Sequence, residues 1–282
     1  MEQPKAVREI VSSGEPWHVR LRELWGYRDL ILILARRRLT VRYKQTVLGP
    51  LWLLIYPLLT SLVHLLVFGV VAEVGTDGVP MILFYLAGSS IWAFLSYVTE
   101  QCSNTFHGNA FLFGRVYFPR LCVPLSELLT AVSDFGIRLL LLLGMSVLYS
   151  AAGKVRIPYL HWLLLPFVLL WLGLLSLGLG LVICAFTTRY RDLKVLVGFG
   201  LQLWMYITPV VYPASRLEGT FLAPLVLWNP AAAPVCLFRR LLFGTPSPAA
   251  GSVLVSLLLT AGILLWGLWS FGRAERTFMD TI

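Results

Sequence analysis

Charge is scarce in this chain. Asp, Glu, Lys and Arg make up 13% of its 282 residues, about half the share typical of soluble domains. With 58% hydrophobic residues and a mean hydropathy of +0.78, that shortage excludes an ordinary soluble domain and leaves a polytopic membrane protein. Cysteine is sparse too. Cys102, Cys122, Cys184 and Cys236 form no CxxC pair and no metal spacing, and read as small apolar fillers. No Gly-Lys-Ser/Thr phosphate loop occurs, so no ATP site, and no cofactor, is expected on the chain itself. No His/Glu/Cys cluster suits a metal; His107 and His161 fall near loops without a partner at ligand spacing. The first two dozen residues hold charges and no apolar core, so no cleaved signal peptide is expected. Gly88-Ser89-Ser90 with His64 is the nearest approach to a hydrolase dyad, but the following glycine of a nucleophile elbow is missing. No catalytic residue is assigned.

The positive charge that is present is informative by its placement. The formal net charge is +9, but the cations sit beside hydrophobic segments, which argues for membrane topology and against nucleic-acid binding. Arg36, Arg37, Arg38, Arg42 and Lys44 crowd the entry to an apolar run that ends at Val71. Before it, Leu24, Tyr27, Leu30, Ile31 and Leu34 follow helical spacing while Arg28, Arg36 and Arg37 fall largely elsewhere. That pattern predicts an amphipathic helix in the membrane interface; an ordinary solvated helix is the alternative.

Six stretches are long enough to cross about 30 Å of hydrocarbon: residues 48–71, 81–99, 125–149, 161–186, 193–211 and 252–271. Alternating their direction places seventeen of the 23 Lys and Arg on one side, counting Lys194 at the edge of the fifth stretch with its loop, and five on the other, with Arg138 inside a span. Lys and Arg are retained in the cytoplasm, so both termini are expected there. The stretch 212–251 holds the apolar pieces 221–228 and 235–243, too short to cross and punctuated by Asn229-Pro230, Pro234 and Gly244. They read as re-entrant or interfacial half-helices before the last span. The expected architecture is an all-α integral membrane protein, with residues 1–47 as tail and interface helix and 48–282 as the six-span domain.

Polar side chains inside the spans fall in rows. Trp52, Tyr56, Thr60 and His64 recur every four residues; Tyr85, Ser89, Trp92, Ser96 and Thr99 share a face; Gln202 and Tyr206 follow Gly198 at similar spacing. Aromatic rings and hydroxyls without net charge suit the passage of sugars, so these rows are candidates for a translocation path. The competing account is helix packing plus an interfacial aromatic belt. Asp134 and Arg138 lie one turn apart in the third span, either as a neutralised brace or as a substrate contact. Gly173, Ser176 and Gly180 form a small-residue row that predicts close helix packing.

Four patches together give a family likeness. They are Arg42-Tyr43-Lys44-Gln45-Thr46-Val47-Leu48-Gly49-Pro50-Leu51-Trp52 with Pro57; Asn109-Ala110-Phe111-Leu112-Phe113-Gly114-Arg115-Val116-Tyr117-Phe118-Pro119-Arg120; Tyr190-Arg191-Asp192-Leu193-Lys194 running into Thr208-Pro209-Val210-Val211-Tyr212-Pro213; and Asn229-Pro230 with Pro234. In order and spacing the chain resembles the permease subunits of ABC transporters that export bacterial cell-surface polysaccharide, the O-antigen (Wzm-type), capsule and teichoic-acid exporters of the type-2 permease superfamily. The resemblance implies a bacterial inner-membrane homodimer working with two copies of a separate ATPase, which would hold the ATP and Mg. It implies a coupling helix near residues 106–120, with Phe111, Phe113, Arg115, Tyr117 and Arg120, joined by Arg191 and Asp192, as candidates for ATPase contact. Phe111, Phe113 and Tyr117 are expected to be exposed unless a partner covers them. The implied cargo is a lipid-linked polysaccharide, with Arg42 and Lys44 as candidates for the carrier phosphate or, equally, as topology signals and lipid anchors. Rival functions are a type-2 permease for a drug or lipid and an intramembrane transferase.

Overall fold

The computed structural model describes residues 23–43, 51–188, 192–217 and 219–279. Lys44, Arg191, the start of the first expected span and most of the expected tail lie outside them. The described chain is helical, with no strand among the described residues. Beside the helical turns Thr105–Gly108 and Ala110–Phe113, its α-helices are α1 (Arg28–Tyr43), α2 (Trp52–His64, continuing as the π-helical turn Leu65–Val71), α3 (Met81–Ser103), α4 (Cys122–Ala151) and α5 (Leu165–Thr187). There follow α6 (Leu193–Ile207), the short α7 (Ala223–Trp228) and α8 (Ala232–Phe243), and finally α9 (Ala250–Met279).

Proline and glycine set most of the boundaries. Pro80 is extended and its carbonyl receives the first amide bonds of α3. Pro lies in the first turn of α5 and of α7, where a missing N–H costs nothing. Thr208, before Pro209, is extended at ψ 142°, and Asn229, before Pro230, is extended at ψ 112°; the proline ring disfavours helix at both. Gly244 closes α8 at φ 72°, a left-handed cap that a side chain would strain.

Among the described residues, five helical segments are long and apolar enough to cross a membrane: Trp52–Val71, Met81–Ser103, Cys122–Ala151, Tyr159–Thr187 and Ala250–Arg276. The fifth expected span is shorter than its apolar run. Helix α6 has 15 residues, about 22 Å at 1.5 Å per residue, because the chain turns extended at Thr208 rather than running on to Val211. The two apolar pieces before the last span are both helices, and α8 is deeply embedded, with ten of its twelve residues buried.

Helix α3 is the hub, in contact with α2, α4, α5, α6 and α8, while α5 lies between α3 and α9. The small-residue row on α5 accounts for its closeness to α3, and Gly178, outside that row, for its closeness to α9. A Cβ at Gly180 would collide with Cys102 and the Thr99 backbone of α3, and one at Gly178 would come within 2.8 Å of the Leu264 backbone in α9. At one end of the bundle Ser215 donates to Asp77 at 2.8 Å and Arg216 to the Glu73 carbonyl at 3.2 Å. At the other, Arg38 donates to Asn109 at 3.3 Å, His107 meets the Thr187 carbonyl at 3.0 Å, and Arg120 reaches Glu275 at 3.4 Å. The loops that charge counting assigns to opposite sides thus gather at opposite ends of α3.

Candidate functional site

Three groups of side chains stand out, beginning with the aromatic rows. On α2, Trp52 and Tyr56 are exposed, and Thr60 and His64 partly so; on α6, Gln202 and Tyr206 are exposed. The rings of Phe68 and Tyr206 lie 6.2 Å apart, so these two rows stand side by side on one open face of the bundle. The α3 row lies elsewhere. Tyr85, Ser89 and Trp92 are buried beneath that face and Ser96 is half-buried, because α3 is surrounded by its neighbours. Ser89 shares a 2.9 Å hydrogen bond with Ser61 of α2, and Trp92 meets Trp204 of α6 edge-to-face at 5.4 Å. The α3 row therefore backs the open face and ties α2 and α6 to it.

The second group joins α1 to the bundle. Glu127 of α4 is buried and accepts from Arg38 of α1 and, at 3.1 Å, from the Tyr97 hydroxyl of α3. One turn along α1, Arg42 is ion-paired to buried Asp134 and lies 4.6 Å over the Tyr97 ring. Arg138 lines the same small cavity of about 30 Å3 as Arg42, Asp134 and Tyr97. Two carboxylates on α4 thus receive two arginines four residues apart on α1, a match of charge and helical period. The expected Asp134–Arg138 pair is part of an inter-helix cluster in which Asp134 holds α1. Arg42 is accordingly engaged, and an incoming phosphate would compete with Asp134 for it. Neither Glu127 nor Tyr97 belongs to a row or pair visible in the sequence, although Glu127 falls inside the third apolar stretch.

The third group is the segment after α3, the helical turns Thr105–Gly108 and Ala110–Phe113 and the loop that follows them. Phe111 and Tyr117 are exposed, with Arg115 stacked 3.9 Å over Phe111. Phe113 departs from expectation: it is buried against Phe106 at 6.2 Å and Phe118 at 5.6 Å. Arg120 is buried as well, 5.5 Å over the Phe113 ring and bonded to Glu275. These two support the loop, whereas Phe111, Arg115 and Tyr117 form its accessible surface, and Asp192 is exposed in the separate connection between α5 and α6. Partial desolvation, with Glu23 and Glu275 nearby, pushes the Tyr117 phenol up, which keeps it a neutral donor.

Arg239, which charge counting places with the loop cations of the stretch 212–251, is buried within α8. Its guanidinium donates to the carbonyls of Pro209 (2.6 Å), Val210 and Tyr212 (3.5 Å) and lies 3.7 Å over the Phe84 ring. It therefore satisfies the carbonyls freed where α6 breaks, a role that becomes visible only when α8 is seen beside that break. The Arg239-Arg240 pair within the apolar run 235–243 was the available signal.

Residues 29–243 match the ABC-2 type transporter family. Over 257 residues the chain is 29% identical to the O-antigen export system permease protein RfbA of Myxococcus xanthus, covering 91% of this chain and 96% of that protein. Two Klebsiella pneumoniae proteins of the same name are each 24% identical over 257 residues, covering 90% of this chain and 95% of theirs. The family match runs through every helix from α1 to α8, and the chain belongs to the ABC-2 type transporter family.

Proposed function

We propose that the chain is the transmembrane subunit of an ATP-driven exporter that moves a cell-surface polysaccharide, a lipid-linked O-antigen or similar glycan, across the bacterial inner membrane. The observation that carries this is similarity to O-antigen export permeases along nearly the whole of both chains. With α6 as a short sixth crossing, both termini lie in the cytoplasm, α7 and α8 dip into the membrane from the far side, and residues 48–282 form the six-span domain. Helix α1 lies in the interface. Its exposed Ile33 and Val41 beside Arg36 and Arg37 suit the boundary between acyl chains and phosphates.

Two copies face each other across the open α2–α6 face, so that Trp52, Tyr56, Thr60, His64, Gln202 and Tyr206 line the path. Tyr85, Ser89, Trp92 and Ser96 support it from behind. A separate ATPase, in two copies, binds ATP and Mg and docks against Phe111, Arg115 and Tyr117, with Asp192 and Arg191 from the next loop. Lys44 and Arg42 meet the carrier phosphate at the entrance, Arg42 by exchanging Asp134 for the ligand.

The test is export in cells. A strain deleted for this gene should retain lipid-linked glycan on the cytoplasmic face, and the wild-type gene should restore surface polymer together with its ATPase. Restoration without any ATPase, or a chain that modifies a lipid substrate unaided, would overturn the proposal.

A further inference from the structure

The end of the bundle remote from α1 carries a trench built from three cavities with shared walls. The first, of about 300 Å3, is bounded by Asp77, Gly78, Lys154, Arg156, Gly244 and Thr245, among others. A second, of about 40 Å3, shares Asp77, Thr245 and Pro246 with it and reaches Arg239. The third, of about 350 Å3, shares Ala214, Cys236 and Pro248 with the second. Its remaining walls are largely aliphatic, including Leu217, Val226, Leu227 and Ala249. The two larger chambers each reach the lower end of the size range of small-molecule sites.

The trench is polar and cationic at one end and apolar at the other. Lys154 and Arg156 are exposed at the first chamber, and Arg239 is buried at the joint, its Nε without a partner among the described residues. Asp77 is the sole acid among the lining residues of these three chambers, and it is already taken up by the Ser215 hydroxyl. Gly78 at φ 77°, Gly153 at φ 70° and Gly244 at φ 72° turn the chain at the cationic chamber, where their left-handed geometry favours glycine. A small soluble anion would leave the aliphatic chamber unused. A bare sugar would find aliphatic walls there in place of the aromatic platforms that stack on sugar faces.

We propose that this trench binds an anionic phospholipid of the adjacent leaflet, with the phosphate headgroup against Lys154 and Arg156 and an acyl chain in the apolar chamber. The site is independent of the transport pathway and needs no ATPase, so its test stands apart from that of the export function. The full chain, purified in detergent in the assembly it forms, would be titrated with dioleoyl phosphatidylglycerol or dioleoyl phosphatidylcholine and followed by native mass spectrometry. Two cations near a headgroup give the wild type a preference for phosphatidylglycerol on the order of tenfold.

Lys154→Gln with Arg156→Gln should bring the two lipids to near-equal affinity while leaving the melting temperature of the lipid-free protein in place. Ala249→Trp, at an exposed position on the apolar chamber, should weaken both lipids alike. A wild type that does not distinguish the lipids, a double variant that keeps the preference, or an Ala249→Trp variant that binds both as before would each overturn the proposal. Inorganic phosphate displacing phosphatidylglycerol at matched concentration would do the same, since it would show an anion site with no use for the chain.

Discussion

Two glycine-to-alanine changes on α9 should have opposite effects. A Cβ at Gly267 would lie 2.5 Å from the Gly178 carbonyl oxygen and 3.2 Å from its Cα. Ordinary non-bonded separations are about 3.5 Å or more, so α9 must move away from α5 by roughly 1 Å. The atoms in the way are backbone, and no rotamer relieves them. A gap of that size forfeits about a quarter to a half of each affected dispersion contact, and overpacking of this kind costs about 1–3 kcal/mol. Gly262, on the same helix, has nothing within 4 Å of its built Cβ, and alanine there should gain up to about 1 kcal/mol from helix propensity. Reversible unfolding in mixed detergent micelles should separate Gly267→Ala from Gly262→Ala by about 2–4 kcal/mol. Equal stabilities for the two variants would refute the α5–α9 packing described above.

Three further outcomes are expected. Glu127→Ala leaves Arg38 and Tyr97 without their carboxylate and should destabilise the chain by about 3 kcal/mol, part of which Arg38→Ala added to it should restore; strictly additive losses in the unfolding cycle would sink the pairing. Phe113→Ala should cost about 3–5 kcal/mol, whereas Phe111→Ala should change stability by less than about 0.5 kcal/mol yet lower the yield of ATPase that co-purifies. Trp52→Ala combined with Tyr56→Ala should leave unfolding near wild type, because both side chains are exposed, while cutting export by about tenfold; wild-type export would remove them from the path.

What could be read in the sequence was governed by local period and composition. Long apolar runs, their Pro and Gly limits and the Gly173–Gly180 row depend on near neighbours in the chain, and the helices follow them. The end of α6 moved to Ile207 because Pro209 acts on the residue before it, a local rule outweighed by the apolar run through Val211. Periodicity also identified faces without saying what covers them. The α2 and α3 rows look alike in sequence, yet one is open and the other buried, since only α3 has helices on every side. Phe113 and Tyr117 differ for the same reason. Arg38–Glu127 and Arg42–Asp134 join residues about ninety positions apart, and no spacing rule announces such pairs. An acid inside an apolar span did announce the need for a partner, and Glu127 carried that signal as plainly as Asp134.

The most direct measurement uses vesicles holding the purified chain with its ATPase and a fluorescently tagged lipid-linked glycan on the outer surface. With ATP and Mg supplied outside, beside the ATPase, the glycan should become protected from external glycosidase, and ATP turnover should rise when the glycan is present. Protection that proceeds equally without ATP, or turnover and protection that ignore the glycan, would contradict the assignment of this chain as the membrane path of a polysaccharide exporter.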